Sequence, residues 1–112
     1  VPAAPAPPAP VVPAEPVQIV GVEHIAWDQP AITETEFRRL SFAIYINDKR
    51  SELQGVHCER ADRAFACKTK LPKLSNGEHK LAVVSYFKDG PRIVESHRSP
   101  VLTVIKSSEA RN

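Results

Sequence analysis

Leu40, Phe42, Ile44 and Ile46 alternate strictly with Ser41, Ala43, Tyr45 and Asn47. Successive strand side chains point to opposite faces, so a period of two buries one side and wets the other. This segment is therefore expected to be a half-buried strand. Turn signals surround it at Asp28-Gln29-Pro30, Asp48-Lys49, Ser75-Asn76-Gly77, Lys88-Asp89-Gly90-Pro91 and Ser99-Pro100. Between them lie further strand candidates: Val17–Trp27, Ser51–Cys58, Phe65–Leu71, His79–Phe87, Ile93–Ser96 and Val101–Ile105. Ala31–Arg39 is polar and fits a short helical turn or a loop. No segment keeps a 3.6-residue period over three turns. About seven short strands with frequent turns predict an all-β fold, an antiparallel β-sandwich.

Seven of the 11 prolines fall in the first 16 residues, VPAAPAPPAPVVPAEP. Proline has no N–H for a ladder and fixes φ, so residues 1–16 are expected to be a disordered, polyproline-II-like linker. A polyproline ligand for an SH3-like partner would need flanking basic residues, and none stands there. The fold must then come from residues 17–106, with 107–112 fraying. A chain of 112 residues is one domain at most. It has room for one modest core but not for a core and a deep catalytic cleft. No apolar run approaches the roughly 20 residues of a membrane span. The net charge of +2 is too small for a nucleic-acid module, which needs a concentrated basic face.

The two cysteines, Cys58 and Cys67, flank the segment ERADRAFA. A hairpin turning at Ala61–Ala64 would set them opposite each other on neighbouring strands, close enough to bridge. A disulfide implies export: a secreted, periplasmic or cell-envelope protein. The alternatives are two reduced thiols, or a metal site, for which His57 beside Cys58 gives no recognised ligand spacing. The 112 residues contain no signal-peptide pattern. The exported reading thus expects the chain to start after a cleavage site or inside a longer protein.

The segment Leu74–Val83, LSNGEHKLAV, resembles the E–F region of fibronectin type III domains. Trp27-Asp28-Gln29-Pro30 is similar to that family's Trp and following Pro at the end of strand B. Ser99-Pro100-Val101-Leu102-Thr103-Val104 is similar to its last strand. The resemblance covers roughly residues 17–106 and implies a fibronectin III or immunoglobulin-like sandwich, non-catalytic, often one bead of a larger exported protein. His79 stands where the family has its corner tyrosine, so an imidazole would have to replace the hydroxyl's bond to the backbone. One clear strand precedes Trp27 where the family has two, so the first strand is expected to be short or merged.

His24, His57, His79 and His97 sit on four different segments and do not converge on a carboxylate or thiolate as a catalytic or metal site requires. His57 and Cys58 are strand neighbours that point to opposite faces, which disfavours a Cys–His nucleophile. No phosphate-loop, nucleophile-elbow or zinc-helix pattern occurs. No catalytic residue, metal ligand or cofactor is assigned. Lys68 and Lys70 share one strand face, and Tyr45 and Tyr86 occupy the outward phase of two strands expected to be neighbours. These four form the candidate ligand surface. The expected function is an interaction or spacer module, a monomer that meets a protein or polysaccharide surface. The alternative is a carbohydrate-binding accessory module using the tyrosines and lysines.

Overall fold

The computed structural model describes Pro5, Pro8 and residues 16–30, 33–61 and 64–107. In chain order its elements are β1 (Val17–Ile19), β2 (His24–Pro30), α1 (Glu34–Arg38), β3 (Ser41–Ile46), β4 (Lys49–Glu52), β5 (His57–Arg60), β6 (Ala64–Lys70), β7 (Gly77–Asp89), β8 (Arg92–Glu95) and β9 (Leu102–Lys106). The fold is all-β in character, with two sheets. The large sheet runs β1-β9-β7-β3-β4, with β8 also on β7, and the small sheet runs β2-β6-β5. β1 pairs with β9 in parallel; the other pairings are antiparallel.

The alternation read from the sequence decides what lies between the sheets. β3 and β7 turn Phe42, Ile44, Leu81 and Val83 inward, and β2 and β6 bring Ile25, Trp27, Phe65 and Cys67 to meet them. The Trp27 and Phe42 rings, from opposite sheets, are 5.3 Å apart. α1 is capped by Thr33, whose hydroxyl accepts the Glu36 N–H, and it carries Glu34 and Glu36 in its positive first turn. Its Phe37 stacks on Phe65 at 3.8 Å and so ties the helix to the core's margin.

Several expectations need correction. Val17–Trp27 is not one strand: the chain changes sheets between β1 and β2, turning at Gly21, whose φ of 109° favours glycine. Asp28-Gln29-Pro30 does not break the second of these; β2 continues to Pro30, because an edge strand tolerates proline at its end. Ser51–Cys58 is likewise split into β4 and β5, which lie in different sheets. Gly55, with φ of 67°, lies in the crossing, and Leu53 and Val56 pack on the core from it. The β3–β4 turn falls on Asn47-Asp48, one residue earlier than expected. Both have positive φ, which asparagine and aspartate tolerate better than lysine.

The linker (1–16) and the frayed end (107–112) lie almost wholly outside the described residues. Of these positions Pro5 is half-buried, Pro8 is buried, and Pro16 and Ser107 are exposed.

The connection from β8 to β9 shows how a broken strand keeps its ladder. Ser96 and Ser99 each donate their N–H to β7, to the carbonyls of Ser85 and Val83. Their hydroxyls accept the N–H groups of the same two residues, at 3.0 and 2.9 Å. Serine oxygens thus stand in for backbone acceptors where Ser99-Pro100 interrupts the strand, as buried N–H groups require.

His79, buried at the start of β7, bonds to both the backbone before it and the β3–β4 turn. The Lys80 N–H donates to Asn47 Oδ1 at 2.9 Å, which orients the amide. Asn47 Nδ2 then donates to His79 Nδ1 at 2.9 Å, leaving Nε2–H to donate to the Ser75 carbonyl at 2.8 Å. One buried ring pins the β6–β7 loop to the β3–β4 turn. His79→Phe keeps the bulk and loses both bonds, and it is expected to lower stability by about 1–3 kcal/mol. A urea titration unchanged by this substitution would deny the corner its role.

Candidate functional site

The outward phase of the large sheet carries the densest polar chemistry on the described surface. Register sets Ala43 opposite Val84, Tyr45 opposite Ala82 and Ser41 opposite Tyr86. On the flanks, β4 sets Arg50 beside Tyr45 and Glu52 beside Ala43, and β8 sets Glu95 beside Tyr86. The result is a floor of small residues with aromatic rings toward either end and charged groups along both margins. Tyr45 and Tyr86 both pack against Ala43 and Val84.

The charged groups close over this floor. Arg50 bonds Glu52 at 2.6 Å and Glu95 at 2.9 Å. β4 and β8 are separated by β3 and β7, so the Arg50–Glu95 bridge arches across roughly 14 Å of sheet. Tyr45 Oη donates to Glu95 at 2.6 Å, and Tyr86 Oη donates to Glu52. The Arg98 guanidinium lies 3.9 Å from the Tyr45 ring centre and bonds Asp48 at 2.8 Å. Arg50 lies 4.9 Å from the Tyr86 ring. Planar guanidinium groups stack on aromatic faces and fork to carboxylates, so one arginine can serve both.

These contacts set the titration of the network. The Tyr86 hydroxyl, and then Arg50, hold the Glu52 carboxyl below its usual range. The Glu95 hydrogen bond, and then burial, push the Tyr45 phenol up. Burial, and then Glu52, do the same for Tyr86. Burial works against the Arg50 charge, but the hydrogen bonds to Glu52 and Glu95 outweigh it and raise its pKa further. The signs give a plateau. A depressed carboxyl contributes stability above its unfolded pKa, about 4.3, that is lost as pH falls through its folded value. A raised phenol contributes stability below its unfolded pKa, about 10, that is lost as pH rises through its folded value. The urea midpoint is expected to stay flat between these limits and fall on both sides. The alkaline fall should shrink in Tyr45→Phe/Tyr86→Phe; an unchanged alkaline limb would exclude the phenols as its source.

The four residues of the expected ligand surface are not brought together. Tyr45 and Tyr86 do share a face, though Tyr86 is only 7% exposed and both hydroxyls are engaged. Lys68 and Lys70 are exposed on the outer face of the small sheet, level with His57 and His24. The two sheets share one core, so their outer faces look in opposite directions, and no single small ligand touches both pairs. Sequence reasoning places none of Arg50, Glu52, Glu95 or Arg98 at a site. Their meeting depends on register across four strands and on sequence separations up to 50, which no local pattern carries.

Cys58 and Cys67 are opposite one another on β5 and β6 and form a disulfide, with Cα atoms 4.0 Å apart. The hairpin closes where the spacing put it, with the Ala61 N–H bonded to the Ala64 carbonyl. Cys67 is buried and Cys58 half-buried, while the adjacent His57 is exposed and paired with Glu59. Among the described residues no cysteine is free and no group of three His, Cys, Asp or Glu side chains could hold a metal. No described helix is long and apolar enough to cross a membrane. Comparisons with family models, curated proteins and solved structures found no match to this chain.

Proposed function

We propose that this chain is a fibronectin III or immunoglobulin-like sandwich module of an exported protein, and that it works by interaction or spacing rather than catalysis. The observation that carries this reading is strand order. Immunoglobulin-like sandwiches hold strands B, E and D in one sheet and C, F and G in the other, with C′ joining the second in some members. Taking β2, β6 and β5 as B, E and D, and β3, β4, β7 and β8–β9 as C, C′, F and G, gives that order. The buried Trp27 and the His79 corner fit the same scheme. The Cys58–Cys67 bridge supports export, since disulfides persist in oxidising compartments.

The polysaccharide alternative has less behind it. Sugar-binding platforms need exposed rings, whereas Tyr86 is buried and the lysines face the other way.

Two measurements test the proposal. The full chain is expressed once with a periplasmic leader and once in a reducing cytoplasm. The exported form is expected to resist alkylation until reduced and to unfold at higher urea. Equal stability of a free-thiol cytoplasmic form removes the case for export. Hydroxyl-radical footprinting of the chain mixed with an envelope or secreted fraction is expected to show protection confined to one face. Protection nowhere, or spread evenly, counts against an interaction module.

A further inference from the structure

On the β5 side of the sandwich an apolar groove lies along an unpaired strand edge. The groove is lined by Phe37 and Leu40 at the α1 end, Phe42 on β3, Leu53 and Val56 from the sheet crossing, and Cys58 on β5. It is open, and its volume of about 470 Å³ falls within the roughly 300–1,000 Å³ typical of ligand pockets. Apart from Phe42 this lining is only half-buried, so the fold leaves part of its apolar surface wet.

The edge follows from the ladder. The Ala61 N–H donates to the Ala64 carbonyl, in the same register as Cys58 opposite Cys67. Bonded and unbonded pairs alternate along antiparallel strands, so His57 and Glu59 bond to β6 and Cys58 and Arg60 do not. The N–H and C=O groups of Cys58 and Arg60 point away from β6, and among the described residues no strand takes them. A four-residue edge strand would ordinarily fray, but the Cys58–Cys67 bridge pins β5 and presents this edge preorganised.

Edge and groove share one phase. A residue paired with Cys58 through those free groups has its side chain on the same face as Cys58, which is the groove side. The residue opposite Val56, two places along, does the same, and the one between them lies beside His57 in solvent. A strand laid on β5 therefore sends alternate side chains into the groove. The polar groups that line it are Arg38, Ser41 and His57, two of them basic. Arg38 and His57 meet only Glu34 and Glu59, in pairs whose side chains are all at least 60% exposed. Such surface pairs are weak and exchange readily, so a carboxylate beside His57 is the complement. A second copy of the chain does not meet these demands: it brings another hollow, and two hollows enclose a void.

We propose that β5 and the adjoining groove bind an extended peptide as an added antiparallel strand, with apolar side chains opposite Cys58 and Val56 and an acidic one between them beside His57. This rests on the interaction reading above by naming its partner class, and the two fail separately. Footprint protection on another face would exclude this dock and leave the module reading standing.

The probe is acetyl-Thr-Lys-Val-Glu-Leu-Thr-amide, titrated into the full chain labelled with nitrogen-15. In antiparallel register its Val meets Cys58, its Glu meets His57 and its Leu meets Val56. Saturable amide shifts are expected at Leu53, Val56, Cys58 and Arg60, with a Kd of about 1 mM or tighter, while Ala26 and Val84 stay in place. Exchanging the peptide's Val for Pro removes the N–H that meets the Cys58 carbonyl, and should weaken binding about tenfold or more. Reordering it to Thr-Val-Leu-Lys-Glu-Thr breaks the alternation and should do the same. His57→Glu, at an exposed position, sets like charges opposite each other and should cost about threefold. Changes in the peptide cannot disturb the protein's fold, so they decide the matter whatever the protein variant does. No saturable shift by about 5 mM peptide, equal binding of the proline or reordered peptide, or shifts on another face overturns the proposal. So do nuclear Overhauser contacts from the chain's own N-terminal residues to the Leu53 and Val56 methyls, which would give the groove to the chain itself.

Discussion

Trp27→Ala is expected to lower the free energy of unfolding by about 3–5 kcal/mol, as for other large aromatic truncations in cores. Trp27 is 3% exposed, where the two sheets meet, with its ring against Phe42 and its backbone opposite Cys67. Removing it opens a void that the β ladders on either side cannot close by moving. Small domains hold only about 5–15 kcal/mol in total, so the variant sits near the folding threshold. Trp27→Phe should behave differently. The indole Nε1 is buried with no hydrogen-bond partner among the described residues, so phenylalanine forfeits no bond and removes an unmet donor. Its cost is expected to stay below about 1.5 kcal/mol, the range of shape-tolerant apolar exchanges. Urea titrations followed by far-UV circular dichroism compare the two. Equal losses would mean that the indole N–H carries an interaction of its own.

Removing the disulfide is the second large effect. Cys58→Ser/Cys67→Ala opens a loop of about ten residues, for which chain entropy gives roughly 2.5–3 kcal/mol. The bridge ties β5 to β6, and among the described residues no strand pairs with β5 on its other side. Loss should therefore appear first as rapid amide exchange in His57–Arg60, then as the lower urea midpoint. Intact mass with alkylation before and after reduction checks the premise: two alkyl groups should enter only after reduction. A double variant as stable as the parent would show that the ladder alone holds β5.

The strands were legible where alternation was clean. Leu40–Asn47 and His79–Phe87 read directly as β3 and β7, because a period of two leaves a half-buried strand no other regular conformation. The disulfide was legible from nine positions of spacing and a plausible turn. The sheet changes after Ile19 and after Glu52 were not. Both stretches keep strand-like composition through the crossing, and a glycine reads equally well as a bulge or as a change of sheet. The outer-face network was half legible. The phase of β3 and β7 put Tyr45 and Tyr86 on one side, but their burial depends on Arg50, Glu52 and Glu95, which register brings in from flanking strands. Lys68 and Lys70 were grouped with the tyrosines because sequence gives the phase of a residue within its strand, not which of two sheets the strand joins.

The parallel pairing of β1 with β9 has a mechanical consequence. Tension applied at Val17 and Lys106 pulls the two strands lengthwise past each other, because the loaded ends lie at opposite ends of the pair. The hydrogen bonds along Val17–Ile19 then share the load and must rupture together. An antiparallel terminal pair with its two loaded ends adjacent would instead open one bond at a time, like a zip. The short first strand, a minor contributor to the core, would thus act as a shear clamp under such a load.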